Sequence, residues 1–204
     1  MKLLCNFQEN FSDVNFSQEE KLLLCLAALL HDLGCILGRQ DHAKKSIKIL
    51  EHERFGFVQD MIGDDLLTCL KYIILSHPSS YDLNELPINP IHADVRLNLI
   101  CAIFKLLDEC ELSSARVTHM LYDILKTFSK IRNNAVKYWE AHINIISVVF
   151  KNNVIYIGSK NPEKTKMLTD HFKKELRKVN KIFLKENFPM LHVKIWKMRE
   201  NFYQ

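Results

Sequence analysis

Glycine and proline are scarce in this sequence, with five of each among 204 residues. Both residues interrupt regular structure, so their scarcity favours long helices joined by few turns. The chain also lacks any run of about 18 uncharged apolar residues, and no membrane-spanning helix is expected. The apolar stretch at the N-terminus is too short for a signal peptide.

Cysteine is present but never as a Cys-x-x-Cys pair, because the six cysteines are dispersed along the chain. Several of them lie within apolar stretches that read as helices. This distribution indicates reduced, buried thiols and argues against a disulfide framework or a thiolate zinc site. We therefore expect a cytoplasmic protein. A Gly-x-Ser-x-Gly motif is absent as well, which argues against a serine nucleophile.

The composition is that of a globular protein, with 48% hydrophobic and 25% charged residues. Charge is divided unevenly along the chain. Residues 151–204 contain 11 Lys and 2 Arg against 5 acidic residues, a net charge of +8, whereas residues 1–150 have a net charge of −4. The asymmetry predicts two parts with different surroundings.

The first part reads as a succession of five helices. The first helix begins with a capping-box spacing, Ser17 followed by Glu20, and its apolar run ends near Gly34 and Gly38. This run is apolar nearly all round, so we expect the helix to lie in the core. Asp41 is placed to cap the second helix. The other three are predicted from Asp64 to Pro78, from about His92 to Glu111, and from about Arg116 to Arg132.

The pattern changes after residue 140. The β-branched runs "INIISVVF" and "VIYIG" are separated by "KNN", which predicts a hairpin. Pro162 then opens a lysine-rich helix that extends to about Glu186, and "MLHVKIW" alternates like a strand. We therefore predict a mainly α protein with a helical domain over residues 1–135 and a small α+β subdomain over residues 136–204.

Titratable side chains lie on the apolar stripes of the helical part. His77 continues a stripe of the third helix, and Asp108 continues a stripe of the fourth. His31 and Asp32 stand together at the end of the first helix. Such groups are costly to bury unless they are paired or bound to a metal. A divalent cation with open water positions, such as Mn, Fe, Zn or Mg, would satisfy all four and supply a hydrolytic water.

Four segments, "LLHDLG", "DHAKKSIKILE", "IILSHPSS" and "IFKLLDECELSSARV", resemble the successive motifs of the HD-domain metal-dependent phosphohydrolases. The resemblance covers about residues 17–130, and "KYWEAHINIISVVF" is similar to the helix and strand that follow the HD core in one branch of the family. It implies an HD-type helical bundle and hydrolysis of a phosphoester or phosphoanhydride, with a nucleotide as one candidate substrate.

Carried over by position, the resemblance makes His31, Asp32 and Asp108 ligands of a divalent metal, with Mn, Mg, Fe, Zn and Ni not distinguished. His42 and His77 match positions that hold a second metal or the leaving phosphate in relatives. Lys105 stands where an arginine is common and is expected to contact a substrate phosphate; the alternative is an ion pair with an acidic residue.

The sequence departs from the family in one respect, because no histidine precedes His31. The family places a further ligand on an earlier helix, so this chain is expected to begin just downstream of that helix. We then expect a weaker metal site and weak hydrolysis by this polypeptide alone. The alternative is a binding or regulatory module with a degenerate HD site, belonging to a larger protein.

The expected partner is a phosphate-containing small molecule. The lysines of residues 164–185 are interpreted as the solvated face of an amphipathic helix, so neither nucleic acid nor a membrane is expected as a partner. A homo-oligomer and a larger parent protein both stay open.

Overall fold

The computed structural model describes residues 2–11, 14–112, 127 and 133–197. Within these ranges the chain is mostly helical and contains one three-stranded sheet, as the sequence predicts. The chain divides into two compact units. The first comprises the described residues from Ser12 to Asp108 together with Lys181–Phe188. The second comprises Lys2–Phe11, the described residues from Glu109 to Asn180, and those from Pro189 onward.

The described α-helices are α1 (Lys2–Asn10), α2 (Gln18–Leu30), α3 (His42–Leu50), α4 (Gly56–Ile62), α5 (Asp64–Ser76), α6 (Leu97–Glu109), α7 (Asn133–Asn144) and α8 (Pro162–Lys185). Short 3-10 helices occur at Leu33–Leu37, Glu53–Phe55 and Leu83–Glu85. The strands are β1 (Ile145–Lys151), β2 (Val154–Ser159) and β3 (His192–Lys197). No strand lies between residues 20 and 75, a stretch that is described throughout.

The core of the first unit is built from α2, α5 and α6. In α6 all residues from Leu97 to Leu107 are buried except Asn98, which makes this the most deeply enclosed helix of the unit. As predicted, α2 contributes to the core through Leu23, Leu24 and Ala27, but its apolar run is not enclosed all round, because Leu29 is exposed. The helix therefore presents only one apolar side to the core.

Of the two predicted N-terminal caps, the one at α2 is formed and the one at α3 is not. Ser17 and Glu20 make the predicted capping box at the start of α2. Asp41 precedes α3 but has a left-handed backbone (φ 54°) and makes no capping hydrogen bond with its side chain. The predicted fourth helix begins only at Leu97, and residues 91–96 before it are non-helical, with a turn at 93–94. The predicted fifth helix, 116–132, falls almost wholly outside the described residues.

In the second unit the three strands are ordered β1-β2-β3. β1 and β2 form the predicted antiparallel hairpin, and Asn152 in its turn has a positive φ of 52°. β3 pairs with β2 in parallel, after α8. A parallel pair requires a crossover connection, and the long helix α8 supplies it.

Among the described residues, no single helix is long and apolar enough to cross a membrane; only the bent pair Gln18–Leu37 and His42–Leu50, with 107° between its halves, reaches that length and composition.

Candidate metal centre

Three histidine side chains of the first unit are held by the same kind of contact. In each ring, Nδ1 lies against a backbone carbonyl oxygen three or four residues earlier: His31 on Ala27 at 3.0 Å, His42 on Arg39 at 3.0 Å, and His77 on Ile74 at 2.6 Å. When Nδ1 donates its proton to a carbonyl, Nε2 is left with its lone pair. This is the arrangement in which histidines usually bind metal ions.

The Nε2 atoms meet the two candidate carboxylates. His31 Nε2 lies 3.5 Å from Asp108 Oδ1 and 3.6 Å from Asp32 Oδ2, and His42 Nε2 lies 3.4 Å from Asp32 Oδ1. His42 Nε2 is also 2.8 Å from His77 Nε2. The structure thus brings together five of the six residues that the sequence singled out, from the ends or starts of α2, α3, α5 and α6.

Two groups in this cluster have ligand atoms that all lie within 4.8 Å of one another. One group is His31, His77 and Asp108, and the other is Asp32, His42 and His77. His77 belongs to both groups. Its Nδ1 is engaged with Ile74, so only Nε2 is available to either of them.

Burial and charge act differently on two of the histidines. Burial lowers the pKa of His77 to about 4, against the opposing charge of Asp108, so this ring is neutral at neutral pH. Burial also disfavours charge on His31, but the hydrogen bond and charge of Asp108, together with the charge of Asp32, outweigh it and raise the pKa. A neutral ring is the form that binds a metal.

The turn that carries His31 and Asp32 is tied to α3 by Ser46. This buried hydroxyl donates to the carbonyl oxygen of His31 at 2.6 Å and accepts from the backbone N–H of Gly34 at 2.8 Å. Gly34 lies so close to α3 that a Cβ there would come within 2.1 Å of the His42 carbonyl oxygen. The close approach of turn and helix places Asp32 beside His42.

Lys105, the sixth candidate, is fully buried. Its Nζ donates to the carbonyl oxygens of Ser76, His77 and Pro78 at 3.4, 3.0 and 2.6 Å. These carbonyls lie at the end of α5, where the last groups of a helix lack partners within the helix. The expected phosphate contact of Lys105 stays a prediction, and its observed contacts hold the backbone of His77.

Ser46, Phe104 and Cys35 also adjoin the cluster, and sequence reasoning missed all three as site residues. The Phe104 ring meets the His31 ring edge-on, with 5.4 Å between centroids, and the Cys35 thiol donates to Asp32 Oδ1 at 3.5 Å. Helical spacing contained a signal for two of them, since Ser46 follows His42 by four residues and Phe104 precedes Asp108 by four.

No family model, curated protein or solved structure matches this chain. The chemistry of the cluster therefore depends on its own residues. Imidazole nitrogens and carboxylate oxygens are ligands for Zn, Fe, Mn and related divalent ions. The three imidazole rings and two carboxylates of the cluster could hold such an ion.

Proposed function

We propose that this chain is a metal-dependent phosphohydrolase of the HD type, which cleaves a phosphoester or phosphoanhydride bond. Nucleotides are the first candidate substrates. The observation that carries the proposal is the convergence of His31, Asp32, His42, His77 and Asp108. These five residues come from the four HD-like sequence segments, and they lie on α3 and α6 or directly after α2 and α5, all in the first unit.

The spacing of the ligand atoms supports a shared cation. Two atoms that each lie about 2.1 Å from one ion are about 3.0 Å apart at a right angle and about 3.4 Å apart at the tetrahedral angle. The four separations within the cluster, 2.8, 3.4, 3.5 and 3.6 Å, are of this size. Three of them are longer than the roughly 3.2 Å within which most strong N–H···O hydrogen bonds fall, so any hydrogen bonds there are weak. The side chains are therefore better arranged around an ion than around one another.

The number of ions follows from the two overlapping groups. The single available nitrogen of His77 can bind only one ion, so the groups compete for it. Asp32 has one oxygen near His31 and the other near His42, so its carboxylate is the one that can serve two ions at once. The expected ligands His31, Asp32 and Asp108 are divided between the two groups, because Asp32 lies near His31 but is grouped with His42. The proposal therefore requires Asp32 to complete the ion site of His31 and Asp108, and it leaves room for a second ion beside His42.

The ion would supply a water of lowered pKa as nucleophile and a Lewis acid for a phosphate oxygen. The protein's own part is to orient the ligands. Backbone carbonyls hold each ring through Nδ1, and Ser46 holds the turn that bears His31 and Asp32. His42 and Lys105 are the groups proposed to balance the charge that develops on the phosphate, whereas His77, which is neutral at neutral pH, would act as a metal ligand.

The test combines metal binding with phosphate release. The protein is stripped with a chelator and titrated with Mn²⁺, and its hydrolysis of nucleotides and of simple phosphate esters is measured with Mn²⁺ and with Mg²⁺. We expect about stoichiometric binding and metal-dependent release of phosphate. Asp108→Asn should weaken Mn²⁺ binding about tenfold or more, because it removes a charged ligand.

Asp60→Asn is the matched control. Asp60 is an exposed carboxylate on α4 with no described contact to the cluster, so its loss should change neither binding nor hydrolysis. Hydrolysis that survives Asp108→Asn would contradict the proposed metal site. Metal binding without hydrolysis of any substrate would overturn the catalytic part and favour a binding or regulatory module.

A further inference from the structure

The sheet of the second unit has two faces of different character. Strand register places Val149, Tyr156 and Lys194 side by side on one face, and places Phe150, Ile155 and Val193 on the opposite face. Phe150 and Ile155 are buried and Val193 is half-buried, whereas Val149 is 44% exposed, Lys194 is exposed and Tyr156 is half-buried. One face therefore belongs to the core, and the other lies open. We call the latter the open sheet face; its members are Ser147, Val149, Lys151, Val154, Tyr156, Gly158, His192, Lys194 and Trp196.

Two aromatic rings lie on the open sheet face at neighbouring levels. Tyr156 is level with Lys194, and Trp196 follows two residues later on the adjacent strand, level with Gly158. Strand geometry puts the two Cα atoms about 8 Å apart. Trp196 is 46% exposed. Gly158 of the middle strand β2 pairs with Trp196. Because glycine has no side chain, no side chain of β2 lies beside the Trp196 ring at this level.

The charge of this region is of one sign. The three strands contain Lys151, Lys194 and Lys197 and no acidic residue. None of these lysines has an ion-pair partner among the residues that the structure describes. They lie in the part of the chain, residues 151–204, whose net charge is +8. Lys151 and Lys194 lie on the open sheet face, whereas Lys197 lies on the opposite face. A face with cations and no acidic residue attracts a polyanion.

We propose that the open sheet face binds single-stranded nucleic acid, with bases stacked on Tyr156 and Trp196 and phosphates near Lys151 and Lys194. Aromatic rings set among cations on an accessible sheet face are how sequence-tolerant proteins bind unpaired bases, because every base has a stacking face. The lysines alone would bind any polyanion. The two aromatic rings favour nucleic acid over other polyanions, because only nucleic acid has bases to stack on them.

The open sheet face is separate from the lysine side of α8, which the sequence predicts to be a solvated helix face and not a nucleic-acid site. Only strand pairing brings Tyr156 beside Lys194, which follows it by 38 residues in the chain. The site is independent of the proposed metal centre, since all its residues belong to the second unit.

The test measures the binding of fluorescein-labelled oligothymidylate and oligouridylate of about 15 nucleotides to the whole chain by anisotropy at low and moderate salt. We expect binding that weakens as salt is raised, together with quenching of tryptophan fluorescence. Trp196→Leu and Tyr156→Leu should each weaken binding about fivefold or more. Trp196→Leu should also abolish the quenching. Comparison of the two oligonucleotides decides between DNA and RNA.

Tyr138→Leu is the matched aromatic control, because Tyr138 is 52% exposed on α7 and not on the sheet. Lys166→Gln, on α8, is the matched charge control for Lys194→Gln. Circular dichroism verifies that each variant folds. Lys194→Gln is the variant that changes no buried side chain, because Lys194 is exposed. Heparin, a polyanion without bases, should compete without quenching the tryptophan.

Equal losses in the sheet variants and in the two controls would overturn the proposal. Heparin binding as tight as that of either oligonucleotide would also overturn it, because charge alone would then account for the affinity. Absence of oligonucleotide binding at low salt would also overturn it, and capture of an acidic protein in its place would identify the face as a protein-binding surface.

Discussion

At the scale of single residues, Lys105 is the least expected feature. A fully buried ammonium group is costly unless it is well bonded, and this one donates to three carbonyl oxygens at the end of α5. It thereby fastens the backbone of His77 to α6. A lysine can contribute to a site by fixing the main chain of its neighbour, without reaching a substrate.

We expect Lys105→Met to lower the free energy of unfolding by about 2–4 kcal/mol, measured by urea denaturation. Methionine fills a similar volume but leaves the three carbonyl oxygens without this donor. Lys48→Met, at an exposed position of α3, should change stability by less than about 0.5 kcal/mol. An unchanged midpoint for Lys105→Met would mean that the cost of burying the charge equals the value of its hydrogen bonds.

At the scale of elements, the close approach of the turn Leu33–Leu37 to α3 determines where Asp32 lies. A Cβ on Gly34 would meet the His42 carbonyl oxygen at 2.1 Å, Ser46 N at 2.6 Å and Lys45 Cβ at 2.7 Å. Two of these are backbone atoms, which cannot move without shifting α3. Gly34 is therefore required by packing, and α3 begins with the candidate ligand His42.

Gly34→Ala should destabilise the protein by about 1–3 kcal/mol through overpacking and should weaken Mn²⁺ binding. Thermal unfolding and metal titration measure the two effects. Gly56→Ala is the matched control, because a Cβ there meets nothing within 4 Å and Gly56 has helical backbone angles. It should leave stability unchanged or raise it by up to about 1 kcal/mol. Equal stability and metal affinity in both variants would show that α3 can shift freely.

At the scale of the whole molecule, contacts distant in sequence hold the helices in register. Glu20 on α2 is buried and accepts from the backbone N–H of Arg96 and from its guanidinium, 76 residues later. The same carboxylate caps its own helix by accepting from the backbone N–H of Ser17. One side chain thus joins the starts of α2 and α6.

This pair predicts how stability depends on pH. Burial raises the pKa of Glu20, but the hydrogen bonds from Arg96 and Ser17 and the charge of Arg96 outweigh it, so the pKa lies below the usual 4.5. A carboxyl with a lowered pKa stabilises the folded state above its unfolded pKa and loses that contribution as the pH falls through its folded value. The contribution is therefore complete at pH 7 and is lost below about pH 4.5.

Glu20→Gln should destabilise the protein at pH 7 by about 1–3 kcal/mol, the lower part of this range reflecting the partly solvated Arg96. The difference in the free energy of unfolding between the variant and the unmodified protein should shrink as the pH falls below about 4.5. Urea unfolding at a series of pH values measures this difference. Glu19→Gln, on the same turn and with no described partner, should show neither effect. A difference that stays constant down to acid pH would exclude the ionised carboxylate as its source.

Local sequence determined the features that depend on neighbours along the chain. The capping box of Ser17 and Glu20 starts α2, Asp64 starts α5 ahead of Pro78, and Asn152 and Asn153 turn the hairpin. Inward positions such as His77 and Asp108 followed from helical spacing. Each of these interactions joins residues only a few positions apart, so their types and spacing suffice to predict them.

Tertiary structure decided the features that depend on which elements become neighbours. The exposure of Leu29, the bonding of Lys105 and the closeness of Gly34 to α3 arise from packing between separate elements. The two overlapping ligand groups and the pairing of Tyr156 with Lys194 arise in the same way. Spacing along a helix or strand sets the direction of a side chain, but the atom that it meets belongs to a distant segment whose position only the assembled core determines.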